Sequence, residues 1–330
     1  MAEMIDLPWE KLSGCNILVT GATGLIGSCL VDILMNHPGK DYQVYALGRN
    51  QIRASHRFLH YQDDSTYHFI KGDVATPLAC DMPFHYIIHA ASNGSPNFFT
   101  NNPVEVMKSN LFGVSNLIEY GLVHEMKRFL YVSTGEVYGI NDATTLDEQS
   151  YGYVDILNTR SCYPSSKRGA ETLAMCYASE YGADVVIARP CHTFGPHFTE
   201  SDNRVYAQFI RNVLNGEDII LKSAGTQYRS WCYVEDCVSA LLHILLFGKC
   251  GEAYNIADKG SVITIRELAE MIAKIAGRKV IFQIASEAEK KEFTPIKRAV
   301  FDTSKLEALG WTVDGNMEDK IKKTLVSYNL

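Results

Sequence analysis

The turn Gly21-Ala-Thr-Gly24-Leu-Ile-Gly27 constrains what this chain can fold into more than any other segment. It joins the apolar run Asn16-Ile-Leu-Val-Thr20 to an amphipathic stretch from Leu25 to Met35. The first reads as a buried strand and the second as the helix that follows it. Glycines at such a junction let the chain bend sharply and bring the backbone close to a pyrophosphate, whose charge a helix N-terminus favours. The spacing is G-x-x-G-x-x-G, not the G-x-G-x-x-G of the common dehydrogenases. A helix entry that needs only close packing would also use glycine. The strand before the turn and the helix after it favour a dinucleotide.

The same alternation runs through the first half. Gln43–Leu47, His68–Lys71, Tyr86–His89, Phe129–Ser133 and Val185–Ala188 read as strands, and Val104–Glu119 and Pro164–Tyr181 as helices. Continuous apolar strands alternating with helices imply an α/β protein of the Rossmann type, a doubly wound parallel sheet covered on both faces. After Pro190 the segments shorten, with helices expected over Val205–Leu214, Val234–Phe247 and Ile265–Ile275. The expected organisation is a dinucleotide-binding domain over 1–190 and a smaller α/β region over 191–330. The second would serve mainly the substrate, close over the sheet and exchange some chain with the first.

Composition removes other classes. A net charge of -7 argues against a nucleic-acid surface, which needs a basic patch. No apolar run approaches a membrane span, and Ala240–Phe247 is far too short. The opening stretch 1–13 carries Glu3, Asp6, Glu10 and Lys11 and does not resemble a signal peptide. Nine cysteines without metal-ligand spacing read as reduced thiols in a cytoplasmic protein that holds no metal, with Cys232 and Cys237 at a helix entry.

Two further features bear on chemistry. An NAD site usually places an acid at the end of the second strand, whereas an arginine accommodates a 2′-phosphate. Here the sequence is Leu47-Gly48-Arg49-Asn50, so the cofactor is NAD(P) with a lean to NADP. Asp73, after the third strand, is placed for the adenine edge or for a turn. Tyr163 and Lys167 stand four apart in a helical stretch, and so share a face. An ammonium there would lower the tyrosine's pKa and fit it for proton exchange with a sugar hydroxyl or carbonyl.

Together with these residues, several motifs resemble the extended short-chain dehydrogenase/reductase family, in its nucleotide-sugar epimerase, dehydratase and decarboxylase members. They are the glycine turn, His89-Ala-Ala91, Asn110 in Lys108-Ser-Asn-Leu-Phe-Gly113, Ser133-Thr-Gly-Glu-Val-Tyr-Gly139 and Tyr163-x-x-x-Lys167. Arg189-Pro-Cys-His-Thr-Phe-Gly-Pro196, Gln227–Asp236, Gly251–Ile256 and Asp302–Trp311 continue the match. The resemblance implies that Thr134 holds the sugar hydroxyl, that Tyr163 exchanges its proton, and that Lys167 binds the nicotinamide ribose. It implies cofactor contacts from Gly21, Thr23, Gly24, Leu25, Ile26, Gly27, Arg49, Asp73, Val74, Ala90, Ala91, Asn110 and Pro190. A nucleotide-diphosphate sugar would meet Ser92, Gly135, His192, Thr193, Arg204, Arg229 and Arg298. Relatives pair the helices matching Val104–Glu119 and Pro164–Tyr181 into a four-helix homodimer interface.

The resemblance leaves the reaction open. Sugar 4,6-dehydratases of the family typically show Thr-Asp-Glu where this chain has Thr134-Gly135-Glu136, and glycine cannot donate a proton, which disfavours that elimination. Glu136 remains, as it does in UDP-glucuronate decarboxylases. These also resemble the chain in Arg160-x-Cys-Tyr163 and Lys167-Arg168-x-Ala-Glu-Thr172, but usually carry serine at position 135. One reading is redox-neutral chemistry through a 4-keto intermediate. The alternatives are NADPH-dependent reduction of a keto-sugar, or a non-catalytic dinucleotide sensor or scaffold. The nucleotide base and the sugar are not legible.

Overall fold

Strands apolar along their whole length must be covered on both faces, and the layers of this protein follow from that. A computed structural model describes residues 7–284 and 296–329, so part of the opening stretch 1–13 lies outside the described residues. The first half runs β1 (Asn16–Thr20), α1 (Leu25–Met35), β2 (Gln43–Gly48), α2 (Gln51–Arg57), β3 (Tyr67–Lys71), β4 (Tyr86–His89), α3 (Pro96–Asn101), α4 (Pro103–Val123), β5 (Arg128–Val132), α5 (Cys162–Tyr181) and β6 (Val185–Pro190). It continues with β7 (His192–Phe194), α6 (Val205–Leu214), β8 (Ile219–Leu221), β9 (Tyr228–Tyr233), α7 (Val234–Phe247), β10 (Ala253–Ile256), β11 (Asp258–Thr264), α8 (Ile265–Ile275), β12 (Val280–Phe282) and β13 (Arg298–Ala299). A helix over Met317–Val326 follows near the end.

The main sheet has the order β10-β6-β5-β4-β1-β2-β3, and every pairing in it is parallel. Strand order reverses between β1 and β4, the switch point at which doubly wound sheets open a crevice. Leu30, Val31 and Leu34 of α1 and Val238, Leu241 and Leu245 of α7 bury one face of the sheet. Val114, Leu117 and Ile118 of α4 with Ala170 and Ala174 of α5 bury the other. The two small alanines let α5 lie close to the strands that carry the candidate site.

The remaining strands form a sheet of β11, β9, β13 and β7, and a pair β12-β8. Their core joins Tyr206 and Ile210 of α6, Trp231 of β9, and Leu268 and Ile272 of α8. A capping box starts α8: Thr264 Oγ1 accepts from Glu267 N at 3.1 Å, and Thr264 N donates to Glu267 Oε2 at 2.7 Å. β10 completes the main sheet and α7 covers it, although both follow residue 190.

Cys232 lies within β9, not at a helix entry. Buried Arg229 and Ser230 break the apolar run of that strand and hid it from a hydropathy reading. All nine cysteines are free thiols. Among the described residues, no helix is long and apolar enough to cross a membrane, and no group of three or more His, Cys, Asp or Glu is placed to hold a metal ion.

Candidate active site

The crevice at the switch point is a cavity of about 1030 Å³ that runs from the glycine turn to Tyr163. Gly21 has φ +66°, and a Cβ there would stand 2.7 Å from the Ala90 carbonyl oxygen. A Cβ on Gly27 would overlap the Gly21 carbonyl. Both positions therefore require glycine, the first for its backbone conformation as well as for space. No side chain caps α1 at Gly24, so the helix presents its positive end to the cavity. Thr23, Leu25, Ile26, Arg49, Asp73, Val74, Ala90, Ala91 and Pro190 line the same wall. The Ser92 hydroxyl, also on the wall, faces the Tyr163 phenol. A side-chain-free cradle at a helix N-terminus, where a Cβ on Gly21 or Gly27 would fill the space, fits a dinucleotide.

At the adenine end, Arg49 is not free. Its Nη1 lies 2.5 Å from Glu105 Oε1 and 3.8 Å from Asp73 Oδ2. Asn93 Nδ2 also donates to Glu105, at 3.1 Å. The Arg49 hydrogen bond holds the Glu105 carboxyl below its ordinary range. Asp73 serves as a turn residue too, because its Oδ1 accepts from Ala75 N at 2.9 Å. The lean to NADP presumed an arginine available to a 2′-phosphate, and here two carboxylates stand beside that arginine.

At the opposite end Thr134, Tyr163 and Lys167 meet on the wall. Thr134 caps the short 3-10 helix Gly135–Tyr138, its Oγ1 accepting from Glu136 N at 3.2 Å. Tyr163 stacks on Phe99 with ring centres 4.5 Å apart. Lys167 Nζ donates to Val132 O at 2.8 Å and stands 5.9 Å from the centre of the Tyr163 ring. The lowered tyrosine pKa expected from the spacing is not what the protein supplies. Burial first, then Glu136, push the Tyr163 phenol up to about 12, against the hydroxyls of Thr134 and Ser92, which favour its ionised form. Burial likewise pulls Lys167 down to about 7, against Glu171. Desolvation in this site outweighs the attraction that the shared helix face implied.

Asn110 is not part of the cavity wall. It is fully buried, and its Nδ2 donates to Ser166 Oγ at 2.9 Å, tying α4 to α5 one residue before Lys167. Of the residues expected to meet a substrate, Ser92, Thr193 and Arg204 line the cavity, whereas Gly135, His192, Arg229 and Arg298 do not, nor does Glu136. Asp202 grips Arg204 through Nε at 3.0 Å and Nη2 at 2.6 Å. Arg229 is buried and donates to the carbonyls of Tyr228 at 2.8 Å and Ile296 at 2.7 Å. Burial pulls it down to about 10 while Glu136 draws it up. Arg298 donates to Thr144 O at 2.6 Å and lies over the Tyr228 ring. His192 is an exposed residue of β7 whose ring centre lies 5.3 Å from that of Trp231. Glu136 faces Arg160 at 3.3 Å.

Gly135 has a steric reason. A Cβ there would run into the ring of Phe301, which is buried against Val137, Tyr138 and Leu146. The space of a side chain at position 135 is filled by an aromatic from the far end of the chain. Sequence reading missed Phe301 and Glu105 and quoted Arg160 without its contact to Glu136; each acts on a residue distant from it in sequence.

The family model described as "NAD dependent epimerase/dehydratase family" matches residues 17–257. UDP-glucuronic acid decarboxylase 6 of Arabidopsis thaliana is 33% identical, covering 91% of this chain and 84% of its own. UDP-glucuronic acid decarboxylase 1 of Xenopus tropicalis is 30% identical over 94% of this chain and 71% of its own. Among solved structures, a dTDP-glucose 4,6-dehydratase from Streptomyces venezuelae with NAD bound has a TM-score of 0.83 and 26% identity, covering 95% of this chain and 97% of that one. The chain therefore belongs to the NAD dependent epimerase/dehydratase family, the nucleotide-sugar branch of the extended short-chain dehydrogenase/reductases.

Proposed function

We propose that this protein decarboxylates a nucleotide-diphosphate uronic acid through a 4-keto intermediate, with NAD recycled and no net oxidation. The observation that carries this reading is the meeting of Thr134, Tyr163 and Lys167 at the end of the dinucleotide cavity, beside a position 135 that carries no acid. Relatives named UDP-glucuronic acid decarboxylases support the same choice.

When bound, the nicotinamide supplies a hydride acceptor that returns the hydride at the end. Thr134 Oγ1 orients the sugar C4 oxygen, and Tyr163 Oη exchanges a proton with it. A ketone at C4 makes the C6 carboxylate a β-keto acid, so the C5–C6 bond can break and CO2 leave. The electron pair then moves onto the C4 oxygen as an enolate. Having taken the C4 hydroxyl proton as the hydride leaves, Tyr163 is a phenol, and burial, which disfavours its ionised form, keeps it so while it donates to that developing charge. C5 then takes up a proton from solvent, and Glu136, whose charge acts on Tyr163, lies off the cavity wall and is held by Arg160. Arg204 on the wall would face the diphosphate. The reading with net reduction by NADPH drew on Arg49, which Glu105 and Asp73 already neutralise.

The exposed Val104, Phe112 and Val123 of α4 are our candidate surface for a homodimer. Product analysis by mass spectrometry tests the reaction, with UDP-glucuronate, UDP-glucose and dTDP-glucose supplied separately. Loss of the carboxyl carbon from the uronate, with the neutral hexoses left intact, is the expected result. Dehydration of a neutral hexose would overturn it.

A further inference from the structure

Behind the reacting groups lies a buried carboxylate that the proposed chemistry does not use. Glu171 is 7% exposed and stands on α5, one turn beyond Lys167. Its Oε1 accepts from Ser133 Oγ at 2.5 Å and from Arg189 Nε at 3.0 Å, and its Oε2 accepts from Arg189 Nη2 at 2.6 Å. Ser133 immediately precedes Thr134, and Arg189 immediately precedes Pro190. One side chain thus ties together three segments of the cavity wall. The other donors of Arg189 reach Tyr138 Oη at 3.2 Å, Glu148 O at 2.8 Å and Tyr151 Oη at 3.2 Å, which closes the network on its far side.

We propose that Glu171 is a positioning residue whose negative charge keeps Lys167 in its ammonium form while its hydrogen bonds fix the segment that carries Thr134. The proposal rests on the reading that Thr134, Tyr163 and Lys167 carry out the chemistry. The groups around Lys167 favour this role for Glu171. On α5 Glu171 stands one turn further along, and the Tyr163 ring centre is 5.9 Å from Lys167 Nζ. On β5 its Nζ stands 4.6 Å from the ring centre of Tyr131. On β4 His89 is kept neutral by burial and by the Lys167 charge. On β6 Arg189 pairs with Glu171 and offsets part of its charge, so a test of Glu171 must also remove Arg189. Burial works against the ammonium, and Glu171 draws it back. A buried cation that loses its counter-charge gives up its proton more readily.

The test is competitive labelling of Lys167 with an amine-reactive acylating reagent across pH, in the purified protein, read by mass spectrometry of its peptide. Glu171→Gln is expected to move the Lys167 midpoint down by about one pH unit or more. The alkaline fall of kcat/KM should move with it. Ser133→Ala removes a hydrogen bond but keeps the charge, so it should leave the midpoint in place. If Glu171→Gln fails to fold because Arg189 is left buried and unpaired, the double variant Glu171→Gln/Arg189→Met is compared with Arg189→Met alone, and the midpoint should still fall. An unchanged midpoint in the folded variants would overturn the proposal. Labelling needs no turnover, so a protein inactive on nucleotide sugars would count against the proposed reaction and leave this test standing.

Discussion

Glu105 Oε1 stands 2.5 Å from Arg49 Nη1, and this contact bears on which dinucleotide the adenine end accepts. A 2′-phosphate would bring further negative charge beside Glu105 and Asp73. The pair is half exposed, so its worth is modest. Glu105→Gln should therefore raise affinity for NADP relative to NAD by up to roughly fivefold, the equivalent of about 1 kcal/mol, measured by calorimetric titration of both dinucleotides. Tighter NADP than NAD binding by the unaltered protein would contradict the assignment. Tyr163→Phe should lower turnover by roughly 10²- to 10⁴-fold while leaving dinucleotide affinity nearly unchanged, which steady-state rates and the same titration would check. At this scale the glycines, Thr134, Tyr163 and Lys167 were legible because each belongs to a short local pattern. Glu105 was not, because its meaning depends on a contact 56 residues away. The direction of the tyrosine pKa was misread because spacing reports proximity and says nothing of desolvation.

The helices α1, α6, α7 and α8 are readable to the residue because each combines an apolar face with a clear boundary. Strand β9 is not, since Arg229 and Ser230 are buried polar residues whose partners come from other segments. The 3-10 helix Gly135–Tyr138 shows the same dependence on remote chain, through Phe301. Gly135→Ser should overpack this contact and cost about 1–3 kcal/mol, measured by urea unfolding. Phe301→Leu in the same chain should recover part of that loss. A serine accepted at no cost would show that Phe301 does not dictate the glycine.

For the molecule as a whole, the buried histidine of the central sheet sets a direction for its response to acid. His89 is 1% exposed, with Nδ1 2.7 Å from Thr20 Oγ1. Burial, and then Lys167, lower it from 6.5 to about 3. Below about 6.5 the unfolded chain takes up a proton there that the folded protein refuses. The stability this group contributes is therefore fully present above 6.5 and is lost as pH falls toward 3. His89→Asn should flatten the decline of the thermal midpoint across that window, and an unaltered slope would count against it. The doubly wound order was legible at this scale from alternation alone. The return of β10 to the main sheet from the second half is a long-range pairing that alternation along the chain does not announce.

The central claim is that hydride leaves C4 and comes back while the carboxyl carbon departs. The most direct measurement supplies UDP-glucuronate deuterated at C4 together with substoichiometric NAD, and follows CO2, the label and nicotinamide absorbance. The expected result is CO2 released in step with a UDP-pentose that keeps deuterium at C4, with no accumulation of reduced cofactor. Turnover that consumes NADPH or accumulates NADH in proportion to product, or CO2 release without return of the label, would contradict it.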